Sequence, residues 1–150
     1  MGTISKNFSY REFEKSEIAD RKGYNNVIVT SRVRDAVKEL TLSVLQPLRD
    51  ALGYPVRISS GYRCPQLNAD PEVNGSKSSQ HMNGEAADIH VCFPDGTEIP
   101  PIYVALIIRV LKLPFDQMIV YPSFVHVSHK LEGAQRGQIL YNATYKGPKL

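Results

Sequence analysis

Apolar positions fall into two kinds of pattern along this chain, and the change from one to the other divides it. From Ser31 to Leu52, Val33, Val37, Leu40, Val44, Leu45 and Leu48 recur at helical spacing and predict one long amphipathic helix. Pro47 lies inside that pattern and predicts a bend or a fresh turn, and Gly53 is a natural stop. Ahead of it, Ser9 with Glu12 three residues on reads as a capping box, which opens a short helix through Phe13 to Ile18. Gly23 to Asn26 is a loop by composition. Pro100 to Leu111 predicts a further helix with Ile102, Leu106 and Val110 on its apolar face.

The second pattern alternates. Val56–Ser60, Ala86–Cys92, Phe115–Tyr121, Phe124–Lys130 and Gln138–Tyr141 read as strands, with Pro122-Ser123 a tight connection between the third and fourth. In that hairpin Tyr121 pairs with Phe124, Ile119 with His126 and Gln117 with Ser128. Gln117, Ile119 and Tyr121 then look to the side of His126, and Asp116 looks away. Cys64 to Gln80 is rich in Asn, Ser, Gly, Asp and Pro and reads as a long loop with a short helical turn, a length usually kept for function. Helices come first and strands gather later, so the expected class is α+β with helices packed on a mainly antiparallel sheet.

Composition narrows the use of such a fold. A chain of 150 residues with 42% hydrophobic positions supports one domain with a real core. The net charge of +3 is mild, and no basic-aromatic stripe marks a nucleic-acid partner. No apolar run reaches a membrane span, so no membrane insertion is expected. The start at Met1-Gly2 lacks the pattern of a signal peptide, and Lys6 stands where a myristoylation signal has Ser or Thr. Two cysteines, Cys64 and Cys92, make a reducing compartment the default and leave a single bridge open.

Candidate chemistry concentrates between Ser59 and His90, with one later piece, Phe124 to Ser128. His81, Asp88 and His126 offer two imidazoles and a carboxylate, the donor set of a zinc site that keeps a position for water. The seven-residue step from His81 to Asp88 does not fit one helical face; it fits a turn through Gly84 that returns over the strand carrying Asp88. His90 and His129 lie near and compete for the ligand role: His90 shares a strand face with Asp88, and His129 faces opposite to His126. Arg63 reads equally as a loop anchor, and Ser79 as the cap of a turn.

At these residues the chain resembles the zinc D,D-peptidases of peptidoglycan, a family of D-alanyl-D-alanine carboxypeptidases, vancomycin-resistance dipeptidases and L-alanyl-D-glutamate endolysins. The resemblance rests on Ser60-Gly61-Tyr62-Arg63, on Ser79 to Asp88 read as Ser-x-His-x-x-Gly-x-Ala-x-Asp, and on Val125-His126-Val127-Ser128. It extends through Val44 to Arg49 and Phe115 to Gln117, and Phe8 to Ile18 resembles the opening helix of a small phage-associated branch. It implies a hedgehog/D,D-peptidase-like fold, a Zn2+ cofactor held by His81, Asp88 and His126, and a peptidoglycan stem peptide as partner. It further implies hydrolysis by metal-activated water, with Arg63 polarising the substrate carbonyl, and Ser79 and Gln117 binding substrate. A monomer is expected, made in the cytoplasm and acting at the wall, as a phage or prophage lysin does.

One departure stands out. The family places an acidic general base shortly before its last histidine, three residues ahead or at the end of the penultimate strand. Those places are Ser123 and Tyr121 here. Tyr121 has a phenol of ordinary pKa about 10, a poor base near neutrality. Glu85 is the nearest carboxylate in sequence to the ligands. Zinc alone lowers the pKa of bound water to about 7. The alternatives are a wall-binding module that kept the fold and lost turnover, and a structural domain whose polar cluster is a hydrogen-bonded loop.

Overall fold

The computed structural model describes residues 2–150, so Met1 lies outside the described residues. Its order is α1 (Tyr10–Glu14), α2 (Glu17–Lys22), α3 (Ser31–Leu40), α4 (Gln46–Leu52), β1 (Val56–Ser60), α5 (Pro65–Ala69), β2 (Ala86–Val91), α6 (Pro101–Val110), β3 (Gln117–Val120), β4 (Val125–Ser128) and β5 (Gln138–Tyr141). The strands form one sheet in the order β1-β2-β4-β3-β5. The pairings β1-β2, β2-β4 and β3-β4 are antiparallel, and β5 joins β3 in parallel, so the sheet is mixed at one edge. The α+β expectation holds.

The long predicted helix is present with a change of winding. Between α3 and α4, Thr41–Leu45 widens into a π turn in which the Gln46 N–H reaches Thr41 O, and Thr41 Oγ1 donates to Val37 O at 2.8 Å. A proline lacks its own N–H and crowds the carbonyl four residues back, so the wide turn ahead of Pro47 absorbs that conflict without breaking the helix. Val37, Leu40, Val44, Leu45 and Leu48 are fully buried along it.

Two sequence expectations need correction. The opening helix does not run through to Ile18: it stops at Lys15, and Ser16 starts a second helix by accepting the Ala19 N–H at 3.1 Å. A serine hydroxyl competes for backbone amides inside a helix and favours a cap. In α6 the buried residues are Ile102, Val104, Ala105 and Ile108, while Val110 is exposed. That helix is apolar almost all round, so periodicity could not choose its inner face.

Strand alternation puts Ala87, Ile89 and Val91 of β2 in the core with Val125 and Val127 of β4 and Met118 and Val120 of β3. The opposite face carries Asp88 directly across from His126, with Ser60 on the other side of Asp88. Ile119 pairs with His126 as the hairpin argument requires, and the Tyr121 N–H donates to Phe124 O at 2.9 Å.

Residues 70–79 cross over this face, and Asp70 pins their start. It is buried, accepts from Lys22 Nζ at 2.8 Å and from Tyr24 Oη at 2.7 Å, and its own carbonyl receives the N–H groups of Val73 and Asn74. Lys22, then Tyr24, then the Glu72 amide hold its carboxyl down at about 2. An unfolded Asp titrates near 3.9, about two units higher. The stabilisation is therefore complete above pH ~4 and lost as pH falls towards about 2. Asp70→Asn should unfold at lower denaturant than the native chain at pH 7, with the gap closing through that acid window; a gap independent of pH would contradict the assignment.

Candidate functional site

Three residues from three places in the chain meet on the polar face of the sheet. Asp88 comes from the middle of β2 and His126 from β4 beside it. His81 comes from a 3-10 turn, Gln80–Asn83, laid over the strand end. One nitrogen from each imidazole and one Asp88 oxygen lie within 4.8 Å of one another. Asp88 Oδ1 is 3.3 Å from His81 Nε2 and 3.2 Å from His126 Nδ1.

The turn that delivers His81 is locally determined. Ser79 caps it, its hydroxyl accepting the His81 N–H at 3.2 Å. Gly84 ends it at φ +72°, pressed so closely on α3 that an added Cβ would stand 2.7 Å from Val33 O. A side chain there would be both strained and blocked. On the other side, Gly61 lies against α1, where a Cβ would stand 2.7 Å from Phe13 Cα, and its carbonyl accepts from His81 Nδ1 at 2.7 Å. A carbonyl only accepts, so Nδ1 carries a proton, and Nε2 is the nitrogen that faces Asp88.

The donors fit a zinc ion by their chemistry. Two imidazole nitrogens and a carboxylate oxygen face a common point, each imidazole has its outer nitrogen engaged, and all three residues are buried. Asp88 lies well below the usual carboxylate range: burial pushes it up, and His81 and His126 more than offset that.

The triad opens into a cleft of about 430 Å³. Arg63 forms one wall, donating from Nε to Ser60 Oγ at 3.0 Å, from Nη1 to Asn68 Oδ1 at 3.3 Å and from Nη2 to Asp88 Oδ2 at 3.5 Å. Burial lowers its pKa, partly opposed by Asp88; a guanidinium so placed stays charged. Tyr121 stacks on Phe124 at 4.2 Å and lines the cleft. Burial first and Asp88 second raise its phenol, so it is protonated near neutrality. Ser79 and Gln117 also line the cleft, and Gln117 Nε2 donates to Gln138 Oε1 at 2.8 Å.

Other expected participants stand elsewhere. Glu85 is not among the cleft residues; its carboxylate accepts the Leu131 N–H at 2.9 Å. His90 is tied to Glu98 Oε1 at 2.5 Å and Ser59 Oγ at 3.1 Å, and His129 is absent from the triad. Cys64 and Cys92 are both free thiols. Asp116, expected to look away, is not itself a cleft residue, but its carboxylate reaches Gln80 and Arg136, both of which line the cleft. Its backbone continues the β3 ladder, its N–H donating to Ser128 O at 2.7 Å and its carbonyl accepting the Gln138 N–H at 3.0 Å. Sequence reasoning passed over Gln80 and Arg136; the position of Gln80 next to His81 was the one signal available.

No helix among the described residues is long and apolar enough to cross a membrane. No curated protein matches the chain. A family model described as Peptidase M15 matches residues 6–128, which takes in Arg63, the 3-10 turn and all three converging side chains. With most of its length matched and the three donors gathered on one face of its sheet, the chain belongs to the Peptidase M15 family.

Proposed function

We propose that this chain is a zinc metallopeptidase that cleaves peptide bonds in the stem peptides of bacterial peptidoglycan. The observation that carries the reading is the convergence of His81 Nε2, Asp88 Oδ1 and His126 Nδ1 in a cleft walled by a charged arginine. A zinc ion held by these three supplies Lewis-acid activation of water and of the peptide carbonyl.

The remaining work falls to the chain itself. Arg63 is fixed by Ser60, Asn68 and Asp88 and has five N–H donors, of which three are so engaged. The others serve a carbonyl oxygen as it gains negative charge. Tyr121, protonated and held by its stacking on Phe124, acts as a hydrogen-bond donor to the departing amine or the substrate carbonyl rather than as a base. Ser79, whose oxygen accepts the His81 N–H, keeps its own O–H for substrate, and Gln117 offers its carbonyl end. Glu85, occupied with Leu131, has no part in this arrangement.

A second hollow of about 340 Å³ is also lined by Arg63 and Val73, so the two hollows adjoin at the arginine. That supports a substrate extended on both sides of the cut bond, as in the endolysin type, over a terminal dipeptide. The resemblance of Phe8 to Ile18 to a phage-associated branch agrees with a lysin acting at the wall as a monomer.

One observation favours a second reading. Among the described residues lining the cleft, Asp88 is the only carboxylate, and it belongs to the triad. A chain without a separate base suits a wall-binding module that retains the metal and does not cut.

Purified muropeptides separate the two. The enzyme reading predicts new amino termini, loss of cleavage on chelation and recovery with zinc; retention on intact sacculi with no new termini would select the binding module. Arg63→Lys should lower kcat/KM by about 10²–10³-fold with zinc content unchanged, since one positioned donor to a developing oxyanion is worth that much. Tyr121→Phe should lower kcat by about 10²-fold or more and leave the acid limb of the pH profile in place. Full activity in Tyr121→Phe would remove that residue from the chemistry.

A further inference from the structure

The two imidazoles are oriented by different means. His81 has its outer nitrogen on a backbone carbonyl, which only accepts. His126 has its outer nitrogen, Nε2, 3.0 Å from the side-chain oxygen of Gln80. An amide has a donor end and an acceptor end of nearly the same shape, so Gln80 alone does not determine which nitrogen of His126 bears the proton. The far end of Gln80 does: its Nε2 lies 3.3 Å from Asp116 Oδ2.

Asp116 is wholly buried and surrounded by donors. It accepts from the Arg136 backbone N–H at 2.9 Å, from Nε at 3.1 Å and from Nη2 at 2.8 Å, and Lys130 Nζ stands 3.9 Å away. Arg136 holds this carboxyl below its usual range against the opposing effect of burial. An ionised carboxylate only accepts. Gln80 must therefore turn its NH2 to Asp116 and its oxygen to His126, where it accepts an Nε2–H; at Nδ1, Asp88 Oδ1 at 3.2 Å competes for the ring proton unless a metal takes that lone pair.

We propose that Asp116 is a positioning residue that holds the Gln80 oxygen as acceptor for His126 Nε2–H, so that Nδ1 is the nitrogen left for the point shared with Asp88 and His81. Arg136, which anchors this carboxylate, lies beyond the family-matched segment 6–128. The proposal rests on the metal reading above for its functional consequence; the hydrogen-bond chain from Asp116 through Gln80 to His126 Nε2 stands without the metal. Partners that orient a metal-binding imidazole from behind typically contribute about 10–100-fold to metal affinity.

The test reads the tautomer and the affinity separately. In metal-free Asp88→Ala chain, where no carboxylate competes at Nδ1, long-range proton–nitrogen spectra at alkaline pH should show His126 protonated on Nε2. In Asp116→Asn the introduced side-chain amide is able to donate to Gln80, so Gln80 is released to flip. The Nδ1–H form should then appear in the Asp88→Ala background, and with Asp88 intact zinc affinity should be about 10–100-fold weaker. Adding Gln80→Glu to Asp116→Asn places an acceptor-only group beside His126. The double variant should recover the Nε2–H form and most of the affinity, which a merely structural loss would not allow. Should Asp116→Asn fail to fold, Gln80→Met should give mixed tautomers and a similar loss of affinity. In the Asp88→Ala background, an unchanged His126 tautomer on adding Asp116→Asn, or a single Nε2–H form on adding Gln80→Met, would overturn the proposal. A chain that shows the tautomer response in that background yet binds no zinc with Asp88 intact would refute the metal reading and leave the positioning link standing.

Discussion

A carboxylate buried between two imidazoles is the constraint on which the rest of this molecule depends. Taking Asp88 out of water is costly unless positive charge meets it. Arg63 supplies part of that charge at 3.5 Å, and the rest comes either from protons on His81 and His126 or from a divalent cation in their place. Protons and metal thus compete for one set of lone pairs, and binding of the metal releases protons. The surrounding structure biases that competition: the Gly61 carbonyl and the Gln80 amide oxygen each take an outer N–H, which leaves the inner lone pairs converging.

The fold serves this convergence by bringing together elements of different rigidity. Asp88 and His126 are paired across adjacent strands, where register fixes their separation. His81 rides on a turn held from two sides by close packing, at Gly61 against α1 and Gly84 against α3. The helices that supply those contacts make no direct appearance in the site, yet the approach of Phe13 and Val33 decides where the imidazole stands. Arg63 connects this centre to the loop above it, since Asn68, which accepts from Arg63, also donates to Ser76 O at 2.8 Å.

Much of this was legible in the sequence because it is local or periodic. Two-residue alternation placed Ile119 opposite His126, and the spacing of His81, Gly84 and Asp88 implied a turn folding back over a strand. What stayed hidden was set by contacts distant in the chain. Strand direction is not written in alternation, so the parallel pairing of β5 with β3 could not be read. The outer face of α6 looked as apolar as its inner one, and only packing chose between them. Glu85, nearest in sequence to the ligands, turned to the Leu131 amide, while Asp116, 28 positions beyond Asp88 in the numbering, reached the back of His126 through Gln80. Arg136 sits in a loop with no pattern of its own, and its meaning comes entirely from the buried carboxylate it meets.

The most direct measurement is anomalous diffraction at the zinc edge from crystals of the full chain grown with zinc. The account predicts one strong peak bonded to His81 Nε2, an Asp88 oxygen and His126 Nδ1, with a further position open to the cleft beside Arg63. Zinc absent from that point, or held there through His90 or His129 instead, would contradict it.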